Sequence, residues 1–476
     1  MFIRLLGLAL LWTLMIPGVA MGQADAARLH KFERQLEQIR RETRITPNSD
    51  IPAGQRLLVD YGAAATFLFA AIDDRDQNTH ILRQTEIAAV LRMELDNVHQ
   101  FFLLVQSFYR DFNRGDSFDR HGDDWIEPQI ERLHYRLDIG RLLAMRSETV
   151  TKLDLAVQVG RQLVQWGNGL VLSEDMDGGI FTLGYDQTTV KILIARMRNS
   201  ATDFDSSRPN FDNDTDRDFY GAILTHQINA YHAAYIYGLS QQDHNDDPPR
   251  IDTPGGLTAF DYNSWYIGVG SKGTLSDRWR YGFELVYEGG DGLSADFPTV
   301  QTREDIDAWA MDLTLDYIFF DPKSTRIFFD LLLASGDSDR INSSDTVGGN
   351  RPGTDDNAFN AFGLLNTGFA FTPDASNLVM VKMGASSYPL RNVKMFRNML
   401  VGGMVLIFNK LNRVGAIDEP STSRRYLGSE LDFYVNWQMT SDLSLAVRYG
   451  VFFPGQGLAS DNDERHFVYV GTTLAF

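Results

Sequence analysis

The sequence predicts an all-β fold, a transmembrane antiparallel β-barrel of about eighteen strands with a short N-terminal helical segment. Three observations favour this fold. Polar and apolar residues alternate along most of the chain from about residue 55, and the apolar stripes are about nine to eleven residues long, the length of a tilted strand that crosses a bilayer. Short turns also alternate with long polar loops. The mean hydropathy of −0.23 agrees with strands that are apolar on one face only.

The first 22 residues have the features of a cleaved signal peptide. Arg4 supplies a positive charge, residues 5–16 form a short apolar core, and Ala20 and Gly22 place small residues at a cleavage site. A membrane anchor is the alternative, but the apolar core is short and no stop-transfer pattern follows it. We therefore predict residues 1–22 to be a signal peptide, which indicates export. The absence of cysteine then indicates a fold that does not depend on disulfides.

Residues 23–54 are predicted to be a periplasmic helical segment that ends in a linker. Leu29, Phe32, Leu36 and Ile39 recur at the spacing of one helix face within residues 25–45, among Arg, Glu and Gln. We expect this helix to lie at the periplasmic rim, where a periplasmic export partner would bind it. A frayed linker is the alternative interpretation.

Residues 55–476 are predicted to form the barrel. Within residues 306–317, for example, Trp309, Met311 and Leu313 alternate with Ala310 and Asp312, so the strand has one apolar face and one polar face that carries charges. A soluble β-sandwich also alternates, but it has no reason to keep short turns on one side and long loops on the other. The short turns are predicted at residues 96–97, 186–187, 226–229, 275–278, 321–324, 389–392 and 439–442, and the long loops at 111–123, 164–176, 199–215, 241–261, 289–304, 336–376, 410–424 and 454–463.

The end of the chain completes this plan. Residues 466–476 alternate and end on Phe476, which resembles the closing strand of bacterial outer-membrane proteins. With residues 138–149 as the one long connection on the short-turn side, about eighteen strands bring both ends of the barrel to the periplasmic side. The interior of such a barrel is too wide for side chains to fill, so water enters and the polar strand faces line a passage.

Strand parity predicts which charged residues line that passage. The predicted lining comprises the basic residues Arg92, Arg132, Arg136, Lys152, Arg278, Arg280, Arg326, Lys382 and Arg448 and the acidic residues Glu86, Glu94, Asp154, Glu284, Asp312, Asp316, Asp330, Glu430 and Asp432. One interpretation is that these charges pair across strands and hold the wall together, and we favour it for any single residue. The other is a cationic constriction that guides a polyanion.

Other motifs do not support an enzyme, a cofactor site or a metal site. Residues 268–273 match GxGxxG but lie within a strand pattern with no helix after them, which argues against a nucleotide site. The aspartates of residues 212–218 lack the Gly and Glu that an EF-hand requires. No HExxH or GxSxG motif occurs, so only His134 and His232 suggest a loosely assembled hydrolase pair. The formal net charge of −19 argues against nucleic acid as a partner.

Three stretches together resemble the alginate-export porin family of Gram-negative outer membranes. The first is the Val-Gln-Val-Gly-Arg-Gln strand at residues 157–162, with the Trp-Gly-Asn-Gly loop at 166–169 and the Asp-Gly-Gly-Ile return strand at 177–180. The others are the Ala-Ser-Gly-Asp strand end at 334–337 and residues 428–455. The resemblance implies a passive exit channel that selects anionic polysaccharide with arginines in its lumen, and the matching positions are Arg161 and Gln162. Arg161 falls on the apolar parity of its strand, so this role requires a bulge at Gly160.

These observations lead to one functional prediction and two alternatives. We predict an outer-membrane channel, not an enzyme, for the passive export of an anionic, alginate-like polysaccharide through a charged lumen, surrounded by outer-membrane lipid. A general diffusion porin for small polar solutes is the first alternative. The second is a barrel whose acidic loops act in surface binding or adhesion, with the loop at residues 336–376 closing its mouth.

Overall fold

The computed structural model describes residues 32, 34–36, 38–39, 57–117, 122–147, 152–198, 215–245, 249–251, 257–295, 300–340, 350–459 and 463–476. The wall is one antiparallel sheet of 18 strands. It closes because the first strand, β1 (Leu57–Asp73), pairs with the second strand and also with the last, β20 (Arg465–Ala475). The predicted barrel of about eighteen strands is therefore confirmed. The predicted signal peptide lies outside the described residues.

Each strand of the wall pairs with its neighbours along the chain. The strands after β1 are β2 (Thr79–Leu95), β3 (His99–Phe112), β4 (Asp123–Asp138), β5 (Leu153–Trp166), β6 (Leu172–Tyr185), β7 (Thr188–Met197), β8 (Arg217–Asn229), β9 (His232–Asp243), β12 (Tyr262–Thr274), β13 (Trp279–Leu293), β14 (Arg303–Ile318), β15 (Arg326–Ala334), β16 (Leu378–Ser387), β17 (Met399–Lys410), β18 (Tyr426–Gln438) and β19 (Leu443–Pro454). Two short strands, β10 (Arg250–Ile251) and β11 (Leu257–Thr258), pair with each other in the connection between β9 and β12.

Side chains alternate between the two faces of the wall. The outward face carries exposed apolar residues such as Ile267 and Val269 of β12, as expected for contact with lipid. Exposed aromatic residues occur at both ends of this apolar face, with Trp265 and Trp309 toward the long loops and Trp279 toward the short turns. The sequence parity therefore assigns the outward and inward faces of the strands.

The connections differ in length at the two ends of the barrel. At the short-turn end, the β4–β5 connection contains helix α1 (Ile139–Ser147), and the Asp138 carboxylate caps it by accepting a hydrogen bond from the Arg141 N–H at 2.8 Å. The β16–β17 connection is longer than predicted and includes a short 3-10 helix, Lys394–Phe396. Among the described residues, no helix is both long and apolar enough to cross a bilayer.

The interior of the barrel differs between its two halves. Toward the long loops, inward side chains such as Phe219, Tyr266 and Phe452 are buried. Toward the short turns, inward side chains such as Arg92 and Arg280 are exposed. An empty barrel of this width would expose both halves to water. The long-loop half is therefore filled by other parts of the chain, and these parts define the site.

Candidate functional site in the barrel lumen

Part of the connection between β15 and β16 folds into the barrel. Residues 356–376 of this connection, here called the inner loop, bury four phenylalanines at positions 359, 362, 369 and 371. Their rings lie 4.3–6.3 Å, between centroids, from aromatic rings of the wall, namely Phe219, Tyr266, Phe408, Phe452 and Phe467. Buried aromatic contacts of this kind dominate the energy of a core. The inner loop is therefore packed inside the lumen as a hydrophobic core.

Two carboxylates of the wall bind the backbone of the inner loop. Glu430 of β18 accepts hydrogen bonds from three consecutive N–H groups, those of residues 369–371, at 2.5–2.8 Å. Glu288 of β13 accepts one from the Asn360 N–H at 2.8 Å. Both glutamates are fully buried. They satisfy loop donors that water does not reach, and no solute in the lumen contacts them.

A second insertion comes from the hairpin of β5 and β6. β5 pairs with β4 only as far as Arg161, and β6 pairs with β7 only from Met176. Residues 162–175, here called the inner hairpin, therefore have no neighbouring wall strand in the part of the chain that the structure describes. The hairpin crosses the lumen instead. There the Asn168 N–H donates a hydrogen bond to Glu284 of β13 at 2.5 Å, and Leu172 of the hairpin forms a β-bridge with Phe362 of the inner loop.

A glycine pair allows the inner hairpin to leave the wall. Gly160 has a φ of +121°, and a Cβ there would lie 2.2 Å from the backbone oxygen of Leu133. Its register partner is Gly178, where a Cβ would lie 2.4 Å from the backbone oxygen of Ile194. Only glycine permits backbones to approach this closely. The Gly160–Gly178 pair is therefore the hinge of the inner hairpin.

Gly160→Ala is expected to destabilise the barrel, whereas Gly179→Ala is expected to be tolerated. Alanine at position 160 combines an unfavourable positive φ with a clash against backbone, at a cost of about 2–4 kcal/mol. At Gly179 the nearest atom to an added Cβ is 3.5 Å away, which is ordinary contact. Thermal unfolding of the purified barrel, followed by its change in electrophoretic mobility, measures the difference. Equal stability of the two variants would contradict the hinge.

Arg161 does not face the lumen. The strand register is continuous through Gly160, so Arg161 stays on the outward face of β5 with the exposed side chain of Val159. Its guanidinium donates to the Asp177 carboxylate at 2.7 and 2.8 Å and to the Ile130 carbonyl oxygen at 3.0 Å. This corrects the expectation that Arg161 lines the passage. The side chain instead joins both strands of the hinge to β4.

The N-terminal helix is part of the packing inside the lumen. Its buried face consists of Phe32, Gln35, Leu36 and Ile39. The ring of Phe32 lies 6.5 Å, between centroids, from that of Phe112 at the long-loop end of β3. A helix with an apolar face agrees with the prediction. Its position corrects the expectation of a helix at the periplasmic rim, because the long-loop end is the opposite end of the barrel.

The N-terminal helix contacts both insertions. Arg34 forms an ion pair with Glu174 of the inner hairpin at 3.4 Å and donates a hydrogen bond to the carbonyl oxygen of Gly363 in the inner loop. Gln35 donates to the carbonyl oxygen of Phe369 at 2.6 Å. The inner loop, the inner hairpin and the N-terminal helix thus form one packed unit, which we call the plug.

The short-turn half of the lumen is open to water, and we call it the vestibule. The basic side chains that face it without an ion pair to any described residue are Arg136, Lys191, Lys272 and Arg280. Asp60 and Asp154 are the acidic residues in the same situation, and Asp312, largely buried in a cavity beside Lys272, also has no ion pair to a described residue. Other inward charges pair with each other, as in the contact of Arg92 with Glu94 at 3.3 Å and that of Arg326 with Asp316 at 2.6 Å. The unpaired charge of the vestibule is therefore mainly positive.

The plug and the vestibule meet at a cavity of about 430 Å³. Lys272, Lys382, Asp312 and Asp330 line it from the wall, and Asn366 lines it from the inner loop. The Lys382 ammonium lies 2.7 Å from the Asp330 carboxylate and donates to the Asn366 carbonyl oxygen at 3.0 Å. A solute that enters the vestibule thus meets charges of both signs before it meets the plug.

The predicted lining residues separate into exposed and buried sets. The members that lie in the vestibule are Arg92, Arg136 and Arg280. The inward members that are buried are Gln162, Glu430, Asp432 and Arg448. Buried side chains under the plug are not accessible to a solute while the plug is in place. Lys382, at the boundary between plug and vestibule, is also largely buried.

Two further predicted residues have structural partners. Arg132 faces inward and pairs with Asp175 of the inner hairpin at 2.7 Å, so it supports the plug. Lys152 precedes β5 and pairs with Asp186 of the adjacent turn at 3.2 Å. The expectation that Lys152 lines the lumen is therefore corrected, because this side chain lies on the exposed rim of the short-turn end.

Sequence reasoning missed the plug and part of the vestibule. A signal for the plug was present, since residues 359–371 carry four phenylalanines and two leucines in a connection otherwise rich in Asp, Gly, Asn and Ser. Lys191 and Lys272 also share the inward parity of their strands and could have been included in the predicted lining. The parity alone does not reveal that Glu288 binds the inner loop.

The family of the protein follows from its sequence profile. The profile of the family described as alginate export matches residues 74–468, which is more than half of the chain. The chain belongs to the alginate-export family. The resemblance found in the sequence is thereby confirmed, and the family and the fold are those of transport porins. No curated protein sequence matches this alginate-export family member.

Solved structures of Occ porins share the fold of this alginate-export family member. Acinetobacter baumannii OccAB3 is 10% identical, with a TM-score of 0.55, over 88% of this chain and 99% of that chain. Pseudomonas aeruginosa OccK2 (OpdF), in complex with glucuronate, is 12% identical, with a TM-score of 0.51, over 89% of this chain and 99% of that chain. Identity at this level shows the fold alone. Family and fold together indicate an outer-membrane channel, with periplasmic short turns and extracellular long loops.

Proposed function

We propose that this outer-membrane channel exports an anionic, alginate-like polysaccharide by diffusion, and that the polymer enters through the vestibule. The observation that carries the proposal is the charge of the vestibule, where unpaired basic side chains outnumber acidic ones among the described residues. This balance is the reverse of that of the whole chain, which has a formal net charge of −19. A positive potential in a cleft raises the local concentration of a polyanion.

The plug covers several acidic residues of the lumen, and this also favours an anionic solute. Glu284, Glu288 and Glu430 each accept a backbone hydrogen bond from the plug, and all three are fully buried. Their carboxylates are therefore not exposed along the path. The charges that remain accessible from the periplasm are those of the vestibule, so a polyanion meets an attractive surface first.

Two comparisons support the class of solute. The family is described as alginate export. OccK2, which shares the barrel fold, is in complex with glucuronate, a sugar that carries one carboxylate. A polyuronate repeats this chemical unit along a chain, and several lysines or arginines spaced around a wide vestibule suit such a repeated charge better than one deep pocket does.

Lys272→Glu combined with Arg280→Glu is expected to weaken block of the channel by a polyuronate about tenfold or more, because opposed charges a few ångströms apart are worth about 1–4 kcal/mol each. The substitutions change the charge at these two positions from +2 to −2. Planar-bilayer recordings with a polyuronate on the periplasmic side measure the blocking constant. A neutral polysaccharide of equal length is expected to block neither form.

The control is Lys152→Glu, which reverses one charge, from +1 to −1, on the exposed periplasmic rim, outside the vestibule. It is expected to leave the blocking constant nearly unchanged. If the unsubstituted channel is indifferent to polyuronates, or if Lys152→Glu weakens block as strongly as the vestibule variant, export of an anionic polymer through the vestibule is ruled out.

A general diffusion porin is the second candidate, and the fold shared with the Occ porins favours it. Such a porin passes small polar solutes through residual gaps around the plug. Liposome-swelling assays distinguish the two functions, since a diffusion porin passes neutral sugars and uronates of equal size at similar rates. A barrel for surface binding would instead show little conductance, because the loop at residues 336–376 would close its mouth.

A further inference from the structure

We propose that the extracellular rim binds the phosphate of an outer-leaflet lipid headgroup in a groove of three arginines. This groove, here called the arginine groove, has a volume of about 730 Å³. Its lining residues are Arg413, Ser423, Arg424, Arg425, Tyr426, Pro454, Gly455 and Gln456. These described residues include no carboxylate, although the chain has 63 acidic and 44 basic residues.

Six other arginines in the long-loop half of the barrel are paired with carboxylates. The pairs are Arg83–Asp111, Arg161–Asp177, Arg196–Asp218, Arg303–Asp291, Arg340–Asp356 and Arg465–Glu419. Arg413, Arg424 and Arg425 are exposed, and none of them forms an ion pair with a described residue. Arg425 donates to the Leu411 carbonyl oxygen at 2.8 Å, which orients its guanidinium. The groove therefore presents positive charge that the protein does not neutralise.

Tyr426, which lines the arginine groove, lies on the lipid side of the wall. At Gly428, which has a φ of +149°, the register of β18 shifts, so that Leu427 is buried and Tyr426 is exposed on the outward face. Trp437 lies near the periplasmic end of the same face. The strand between Tyr426 and Trp437 is about 37 Å long at about 3.4 Å per residue. At a tilt of about 40° it spans about 28 Å, close to the apolar band of about 25 Å. Tyr426 thus marks the outer edge of the hydrocarbon, and the arginines lie just beyond it.

A lipid phosphate fits this arrangement by its charge and by its position. Guanidinium groups bind phosphate through paired hydrogen bonds, and the Ser423 and Tyr426 hydroxyls add donors. A lipid whose acyl chains lie along the apolar face of β18 brings its headgroup to this height. An exported polymer leaves through the mouth of the lumen, on the other side of the wall. The geometry therefore favours a membrane-anchored phosphate over a polymer carboxylate.

The experiment measures the thermal stability of the purified, full-length barrel in detergent with added lipid A. Phosphorylated lipid A is expected to raise Tm by about 3 °C at saturation, as a ligand of the folded state does. Lipid A without phosphates is expected to have no effect. Arg413→Ala, Arg424→Ala and Arg425→Ala together are expected to abolish the shift. The matched control carries Arg83→Ala, Arg196→Ala and Arg303→Ala, which removes three paired arginines at the same end, and it is expected to keep the shift.

Four outcomes would overturn the proposal. An equal shift with dephosphorylated lipid A would show that the acyl chains suffice. An equal shift with inorganic phosphate would show a site for free anions. Loss of the shift in the control variant would show a general effect of surface charge. Displacement of lipid A by a soluble polyuronate would assign the groove to the exported polymer. The assay involves no transport, so its result is independent of the proposed export function.

Discussion

Phe32→Asp combined with Leu36→Asp is expected to raise the single-channel conductance several-fold. Both side chains are buried, with 2% and 5% of their surface exposed, where the N-terminal helix packs within the plug. Burial of one such side chain is worth about 1.5–3 kcal/mol, and a buried unpaired carboxylate adds a cost of several kcal/mol. The helix is therefore expected to leave its site, which opens the lumen to ions. Planar-bilayer recording of the reconstituted protein gives the conductance.

The control for this prediction makes the same kind of change outside the lumen. Leu143→Asp and Met145→Asp alter two exposed apolar residues of α1 at the periplasmic end, and we expect them to leave conductance unchanged. Arg34→Glu is expected to raise conductance less than the double variant, and Glu174→Arg is expected to restore it by re-forming the ion pair. An unchanged conductance in Phe32→Asp, Leu36→Asp would show that the helix does not obstruct the passage.

Glu430→Ala is expected to release the inner loop from the wall. The substitution leaves the three N–H groups of residues 369–371 without an acceptor in a site that excludes water. Each such donor costs about 1–3 kcal/mol, which gives about 5 kcal/mol for the set. Amide hydrogen exchange at residues 369–371 is then expected to accelerate by roughly three to four orders of magnitude, because local opening becomes that much more frequent. Mass spectrometry of the exchanged peptide measures the effect.

Glu94→Ala is the control, since Glu94 faces the vestibule and contacts Arg92, not the plug. Its exchange at residues 369–371 is expected to match that of the unsubstituted protein. Far-ultraviolet circular dichroism of both variants verifies that the barrel is intact. Slow exchange at residues 369–371 in an intact Glu430→Ala barrel would contradict the role given to this carboxylate.

The wall of the barrel was predictable because its signals are local. The alternation of Trp309 and Met311 with Ala310 and Asp312 assigns a strand and both of its faces within a few residues. The order of short turns and long loops then indicates which ends share a side of the membrane. Closure by β20 against β1 follows from the even number of strands.

The plug was not predictable because its contacts join distant parts of the chain. The bond from Gln35 to Phe369 spans 334 residues, and that from Asn168 to Glu284 spans 116. Parity correctly orients Glu430 toward the interior, but it does not show that residues 369–371 cover it. The helix spacing likewise predicts an apolar face on Phe32 and Leu36 without naming the surface on which this face packs.

Arg161 illustrates the limit of a motif. Its parity predicts an outward side chain, and the structure agrees with the parity and not with the lumenal role that the resemblance implies. The assumed bulge does not occur, because the positive φ of Gly160 bends the hairpin while the register stays continuous. The residues of this motif therefore form the Gly160–Gly178 hinge and the ion pair between Arg161 and Asp177.

We expect the outer leaflet to be thinner beside β4 than around the rest of the protein, because of how this strand is paired. From Asp123 to Arg132 this strand bonds to β3 on one side and to no strand of the described residues on the other, and the Arg198 side chain crosses the interval to reach Glu131 at 3.3 Å. Peptide groups that lack a partner are not stable in hydrocarbon. The hydrocarbon layer is therefore expected to end near the level of Arg161 on this side. Lipid headgroups next to the Gly160–Gly178 hinge are then expected to lie closer to the membrane midplane.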